Sequence, residues 1–353
     1  MGSKRDWTFP LPAAHPAARL LQVDAVRTRF HEPGMSHLGF GLPYALALKL
    51  QNAEKVARDR LRLLHRLARG RDPPCGRYRA QWNDDYHHAW HVLLTGETQG
   101  YYGDHTKSPM RDVARALASG FVYQGEASAY RGGQLRGEPS GKLSPTAFVN
   151  FLQNHDQIGN RALGDRLESA ADVRAIEAGL TVLLLAPSIP LLFMGEEWGS
   201  KAPFPFFCDF GGDLADAVRK GRRIELAWAY EEYGDEVPDA LARSSRDSAV
   251  LDWNEPNTPA AQKRLTLVRN LLKIRRQEIV PRLANATFGE AYVNENRLLA
   301  AHWRMGDGAT LRLLANLSEQ AIRHEADKAS GTLIWGSELG DSVPPWTVLW
   351  RIG

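Results

Sequence analysis

The chain has 353 residues, 43% of them hydrophobic and 9% aromatic, which is enough to bury a large core and too apolar for a disordered tail. Forty-four Lys and Arg stand against 41 Asp and Glu, a net charge of +3, too small a bias to imply a nucleic-acid or membrane partner. Two cysteines, Cys75 and Cys208, cannot build a disulfide framework, and the longest apolar run, Leu183 to Met194, is too short for a bilayer and is broken by Pro187 and Pro190. Met1 to Arg19 lack an apolar signal core, so the expected compartment is the cytoplasm.

Taken in chain order, residues 1–79 differ in character from the rest of the chain. Arg58 to Arg79 hold eight Arg and two Asp among Leu and Gly, and Ala53 to Arg69 read as a basic surface helix. From Ala80 to about Gln277, aromatics, turn dipeptides and polar clusters alternate with apolar stretches, as in a domain of alternating strands and helices. Gln81 to His88 enter a helix containing Trp90, His91 and Leu94. Ala147 to Leu152 form a strand candidate, and Ser169 to Leu185 a helix that Pro187-Ser188-Ile189-Pro190 ends. Leu191 to Met194 are expected as a short buried strand whose exit, Gly195 to Gly199, is a polar and aromatic loop of the kind found after a barrel strand. A long amphipathic helix starts after Pro259, with Leu265, Val268 and Leu271 on its apolar side. Beyond a boundary placed near residue 283, Ala300–Arg304, Leu311–Asn316, Gly331–Trp335 and Trp346–Ile352 are β-prone segments of a small antiparallel domain.

The densest polar constellation is Gln153-Asn154-His155-Asp156-Gln157-Ile158-Gly159-Asn160-Arg161, delivered by the apolar strand before it. Amide, imidazole and carboxylate in consecutive positions put donors and an anion at one strand tip, where barrel enzymes do their chemistry. A buried polar network closing a turn is the alternative. The second constellation is Asp84, Asp85, His87 and His88, with His91 one turn on. It reads as metal ligands, as helix caps in the case of the two Asp, or as recognition of a polyhydroxyl ligand beside Trp82. Nucleotide, serine-hydrolase and zinc-ribbon motifs are absent from the sequence.

The segment Phe148 to Ala162 closely resembles the fourth signature region of the α-amylase-type glycoside hydrolases of family 13, and within that clan is similar to the malto-oligosyltrehalose trehalohydrolases. Ala80–His88, Gly120–Glu126 with Arg136–Ser140, and Pro190–Trp198 continuing through Pro203–Phe210 support the resemblance. It implies an α/β fold, a partial (β/α)8 TIM barrel made of the later strands and followed by a C-terminal antiparallel β domain. An N-terminal sandwich and the early strands have no counterpart here, so the resemblance implies an N-terminally truncated member, with residues 1–282 catalytic and 283–353 the β domain.

The family works by retaining double displacement, its nucleophile and acid/base about 5 to 5.5 Å apart. The resemblance puts the transition-state stabiliser at Asp156, beside His155. Leu21 to Val26 match the nucleophile's strand end and put that residue at Asp24, although Gln22 stands where an Arg is expected. Leu48 to Asn52 match the acid/base region and put that position at Gln51, whose amide cannot donate a proton as the expected Glu does. Gln157, Gly159, Asn160, Asp84, Asp85, His87, His88 and Trp198 are the expected substrate contacts. The implied activity is cleavage of the α-1,4 bond next to the terminal trehalose of a maltooligosyl trehalose, or of a related α-glucan. No cofactor is implied, and a metal at most a structural one. A branching enzyme of the same clan, or a catalytically impaired fragment that only binds carbohydrate, are the competing readings.

Overall fold

Strand β1 (Gln81–Trp82) runs straight into helix α1 (Asp84–Thr95), which ends at Gly96 in the left-handed conformation with its N–H on the Val92 carbonyl. The computed structural model describes residues 80–294, 297–323 and 330–353. After α1 come helix α2 (Pro109–Ser119), a hairpin of β2 (Gln124–Ala127) and β3 (Leu135–Gly137), and strand β4 (Phe148–Asn150). Short helices α3 (His155–Gly159) and α4 (Leu167–Ala170) lead to α5 (Val173–Leu185) and strand β5 (Ile189–Pro190). β1, β4 and β5 pair in parallel in that order, so all three deliver their following residues to one edge of the sheet.

The basic helix expected over 53–69 lies outside the described residues. Leu191–Met194 are not the buried strand expected. Pairing stops at Pro190, and the Leu191 N–H makes one last bond to the Asn150 carbonyl. The Phe193 N–H then turns onto Glu196 Oε2 at 2.9 Å, which closes a turn in place of a ladder.

The chain continues through α6 (Gly212–Glu225), α7 (Ala227–Tyr233), α8 (Arg243–Ser248) and α9 (Pro259–Ile274). Thr258 caps α9 by accepting from the Ala261 N–H, with Pro259 at the first helical position, where its missing N–H costs nothing. One π-helical turn, Arg275–Ile279, extends α9 and aims the fully buried Arg275 guanidinium at the end of α5. It donates to the carbonyls of Leu184 (3.0 Å), Ala186 (2.5 Å) and Ser188 (2.8 Å), satisfying acceptors that the end of a buried helix leaves open. Burial without a counter-ion lowers the Arg275 pKa to about 10.

The last segment forms β6 (Thr287–Val293), β7 (Leu299–Arg304), β8 (Thr310–Asn316), β9 (Ile322–Arg323), β10 (Thr332–Trp335), β11 (Ser342–Val343) and β12 (Thr347–Ile352). Five of these make an antiparallel sheet in the order β10-β12-β8-β7-β6, with β9 and β11 paired separately. One continuous core joins α1, α2 and α5 to this sheet: Trp90, Leu117 and Leu183 belong to the same buried cluster as Leu313, Trp303 and Trp350. Trp303 Nε1 donates to the Leu117 carbonyl at 3.0 Å, and the Trp303 ring stacks on Trp350. Among the described residues no helix is long and apolar enough to cross a membrane.

Candidate active site

Asn83 builds the first wall of the site. Its Oδ1 accepts from the Tyr86 N–H at 3.2 Å, which caps α1, and its Nδ2 donates to Asn150 Oδ1 (2.9 Å) and to the Gly120 carbonyl (2.8 Å). The cap is therefore Asn83 and neither of the Asp residues read as caps. Asp84 and Asp85 occupy the first turn, where their charge complements the helix dipole. Gly120, whose carbonyl accepts that Asn83 bond, sits at φ +86°, where a Cβ would lie 2.2 Å from the Phe148 ring.

The second wall is built after β4. Asn154 Oδ1 accepts from the N–H groups of Asp156 (2.8 Å) and Gln157 (3.3 Å), so α3 opens with Asp156 in its first turn and the carboxylate turned outward, its side chain 60% exposed. His155 Nε2 lies 3.3 Å from Asp156 Oδ1, and Trp82, 41% exposed, stands edge-on to the His155 ring at 5.6 Å. Gln157 Nε2 donates to Asp84 Oδ1 at 3.1 Å and closes the gap between the two walls. Asn160 is exposed at the rim, and the Gly159 carbonyl accepts from Arg222. Gln153 is buried behind the tip, accepting from the Leu167 N–H and donating to Glu168.

Burial and the neighbouring Asp85 and Asp156 carboxylates push the Asp84 pKa up to about 6, with Arg136 and Gln157 acting the other way. Asp84 is solvent-exposed, so screening trims that shift.

Beneath the walls lies a layer of packed histidines. His87 holds the Leu152 carbonyl through Nδ1 (2.5 Å) and the Tyr102 hydroxyl through Nε2 (2.9 Å). His91 bonds Glu97 at 2.9 Å and stacks on Tyr102. Burial lowers the pKa of His87, His88 and His91, so all three are held toward the neutral form. His87, His88 and Asp85, expected at the substrate surface, are instead buried below it. Asp85 is tied to the Tyr123 N–H and to Arg136. Each has a polar partner or a ring packed on it, which is what places it in the floor.

Trp198, also expected to meet substrate, is 2% exposed, with its Nε1 on Glu255 Oε2 at 3.0 Å and its ring against Trp253. It braces the loop after β5. Arg166, not singled out in the sequence, braces the same loop: it donates to the carbonyls of Ala202 (2.5 Å) and Met194 (2.8 Å). Glu97 was likewise missed. It takes Arg161 in a two-pronged pair at 2.6 and 2.8 Å, and that pair holds the Glu97 carboxyl well below its usual range. The spacing of Arg161 and Asp165 along the chain was the one local hint of that network. Asp24 and Gln51 lie outside the described residues.

The site thus offers an exposed carboxylate beside an imidazole, a second carboxylate of raised pKa and an aromatic edge, all at the carboxyl ends of parallel strands. An anion so placed can stabilise positive charge developing on a sugar ring, and the aromatic edge can pack against the ring's apolar face.

Comparison with known proteins bears on this arrangement. Residues 286–350 match a family described as "Domain of unknown function (DUF3459)". The malto-oligosyltrehalose trehalohydrolase of Deinococcus radiodurans is 40% identical over 200 residues, 56% of this chain and 33% of its own length. That of Brevibacterium helvolum is 34% identical over 280 residues, 76% of this chain and 45% of its own. A 1.4 Å crystal structure of a Salmonella typhimurium protein described as an alpha amylase matches with a TM-score of 0.72 and 40% identity, over 80% of this chain and 48% of that one. The chain spans between 33% and 45% of the length of these two curated relatives. The fold is α/β, the later part of a (β/α)8 barrel followed by an antiparallel β segment, as the resemblance implied. The resemblance read at Phe148–Ala162 is borne out in sequence and in fold: this chain is similar to the malto-oligosyltrehalose trehalohydrolases over the shares given above.

Proposed function

We propose that the chain acts as a cytoplasmic glycoside hydrolase on maltooligosyl trehalose, cleaving the α-1,4 bond beside the terminal trehalose and releasing trehalose. The observation that carries this reading is the Asp156 carboxylate, exposed at the end of β4 beside His155 and within the field of Asp84. In this reading Asp156 stabilises the oxocarbenium-like transition state. His155, Asp84, Gln157, Asn160 and Trp82 line the sugar subsite. Asp24 serves as nucleophile, and position 51 is that of the acid/base. His87, His88, Asp85 and Trp198 support this surface from below and behind. The same reading divides the chain near residue 283 into a catalytic part and a β domain that share one core.

Gln51 favours a second reading, a chain that binds α-glucan and turns it over slowly. Loss of a general acid typically costs about 10² to 10⁴ in rate. The two readings separate in one assay. The full chain and its Gln51→Glu variant are incubated with maltotriosyl trehalose, and free trehalose is measured. Release by the native chain supports hydrolysis, and release only by the variant supports the impaired reading. Release by neither rejects both.

A further inference from the structure

Asp85 and His88 sit three residues apart on one face of α1, and His105 ends the 3-10 turn Gly100–His105 opposite them. One donor atom from each lies within 4.8 Å of the other two, and all three residues are buried. His88 is 6% exposed and His105 0%, yet His88 Nδ1 and His105 Nε2 have no hydrogen-bond partner. Buried polar nitrogens are almost always satisfied, so two orphans in one cluster need an explanation. We infer that Asp85, His88 and His105 form a binding site for a single transition-metal dication, of which Zn²⁺ is the natural occupant.

The surroundings fit that reading. His105 Nδ1 bonds Asp112 Oδ2 at 3.0 Å, the carboxylate–imidazole support that commonly orients a metal-binding histidine and leaves its other nitrogen free to coordinate. Tyr101 stacks on the His88 ring at 4.5 Å and Tyr123 stands edge-on to His105, so both rings are already oriented. The Asp85 oxygens accept from Arg136 and from the Tyr123 N–H, but each keeps lone-pair capacity for a further partner.

Charge also favours a cation. Asp84 and Asp85 on α1, Asp104 beside His105 and Asp112 on α2 lie around the cluster, with the cation Arg136 on β3 against them. Two nitrogens and one oxygen suit Zn²⁺, Co²⁺ or Ni²⁺, whereas Ca²⁺ and Mg²⁺ want oxygens alone. Bonds of about 2.0–2.2 Å in a tetrahedron put ligand atoms about 3.3 Å apart, so the cluster closes up on binding. His87 and His91, which the sequence made equal candidates, are already committed to Leu152, Tyr102 and Glu97. Buried below Asp84, the metal would clip α1 to the 100–105 turn. The inference does not depend on the proposed hydrolase activity.

The test uses the full chain, stripped with chelator and dialysed against Zn²⁺ or Co²⁺. One equivalent per chain is expected, with Co²⁺ absorption of a four- or five-coordinate nitrogen–oxygen site and a higher melting temperature when loaded. His88→Ala and His105→Ala should abolish binding. Asp112→Asn, which removes no ligand, should weaken it about 10- to 100-fold. His302→Ala, on β7, should leave it unchanged. No bound metal in the native chain, or binding that survives both ligand substitutions, overturns the site. Should those two variants not fold, the native chain still decides it, because diamagnetic Zn²⁺ must give the ring nitrogens of His88 and His105, and not those of His87 or His91, the shifts of metal-bound imidazole.

Discussion

Gln157 Nε2 donates to Asp84 Oδ1 at 3.1 Å, joining the helices that start at the ends of two parallel strands. That one bond sets the distance between the two walls and places Asp84 in the field of Asp156. Burial and the Asp85 and Asp156 charges, against the pull of this bond, raise the Asp84 pKa. Its pKa in the folded chain, about 6, lies above its ordinary value of 3.8, so its contribution to stability is present below about pH 4 and is lost as pH rises through 6. Asp84→Asn should therefore show a smaller drop in Tm between pH 4 and pH 7 than the native chain. Parallel curves for the two proteins would rule this out.

Asp156 is exposed and lends no buried contact to the fold. Asp156→Asn should leave the unfolding free energy within about 0.5 kcal/mol of native, as surface substitutions do. Any trehalose release should disappear with it. Unfolding and activity measured on the same preparation separate the two effects.

Arg275 is different in kind, because its three carbonyl partners belong to the end of α5 and the approach to β5. Arg275→Met leaves them buried and unpaired, and should cost about 3 to 5 kcal/mol. Arg174→Met, which removes only an exposed ion pair, should leave the midpoint close to that of the native chain. Denaturant midpoints at unchanged slope would report both.

Gly120→Ala pushes a methyl into the Phe148 ring from a backbone conformation that favours glycine, and should destabilise by roughly 1–3 kcal/mol. Adding Phe148→Leu should recover part of that loss. A double variant no more stable than the single one would locate the strain elsewhere.

Much of the site was legible because it is local. An apolar strand running directly into Gln153–Asn160 makes β4, the cap of α3 and the exposed Asp156 a single stretch of sequence. What the sequence hid depends on partners far along the chain. His88 and His91 look alike in the sequence, and the fold tells them apart by giving His91 a carboxylate in Glu97 and leaving His88 facing His105. Trp198 looks like a sugar platform until Glu255, 57 residues later, takes its N–H. Strand β6 escaped notice because a bulge between Phe288 and Ala291 breaks its alternation. Leu191–Met194 looked like a strand because it is apolar, but Glu196 captures the Phe193 N–H and bends the chain.

Positions 22 and 51 give a gain-of-function prediction from sequence alone. If position 51 is that of the acid/base and Asp24 the nucleophile, as proposed, Gln51→Glu restores a proton donor and Gln22→Arg the cation expected two residues before Asp24, and each should raise trehalose release, the first by on the order of 10² or more. No gain from either would reject the mapping of residues 20–55 onto the family's catalytic strands.

The most direct test of the account is free trehalose released from maltotriosyl trehalose by the Gln51→Glu chain, with and without Asp156→Asn. The account predicts release by the first and none above background by the second, with both folded. Equal release from the two would contradict the role given to Asp156.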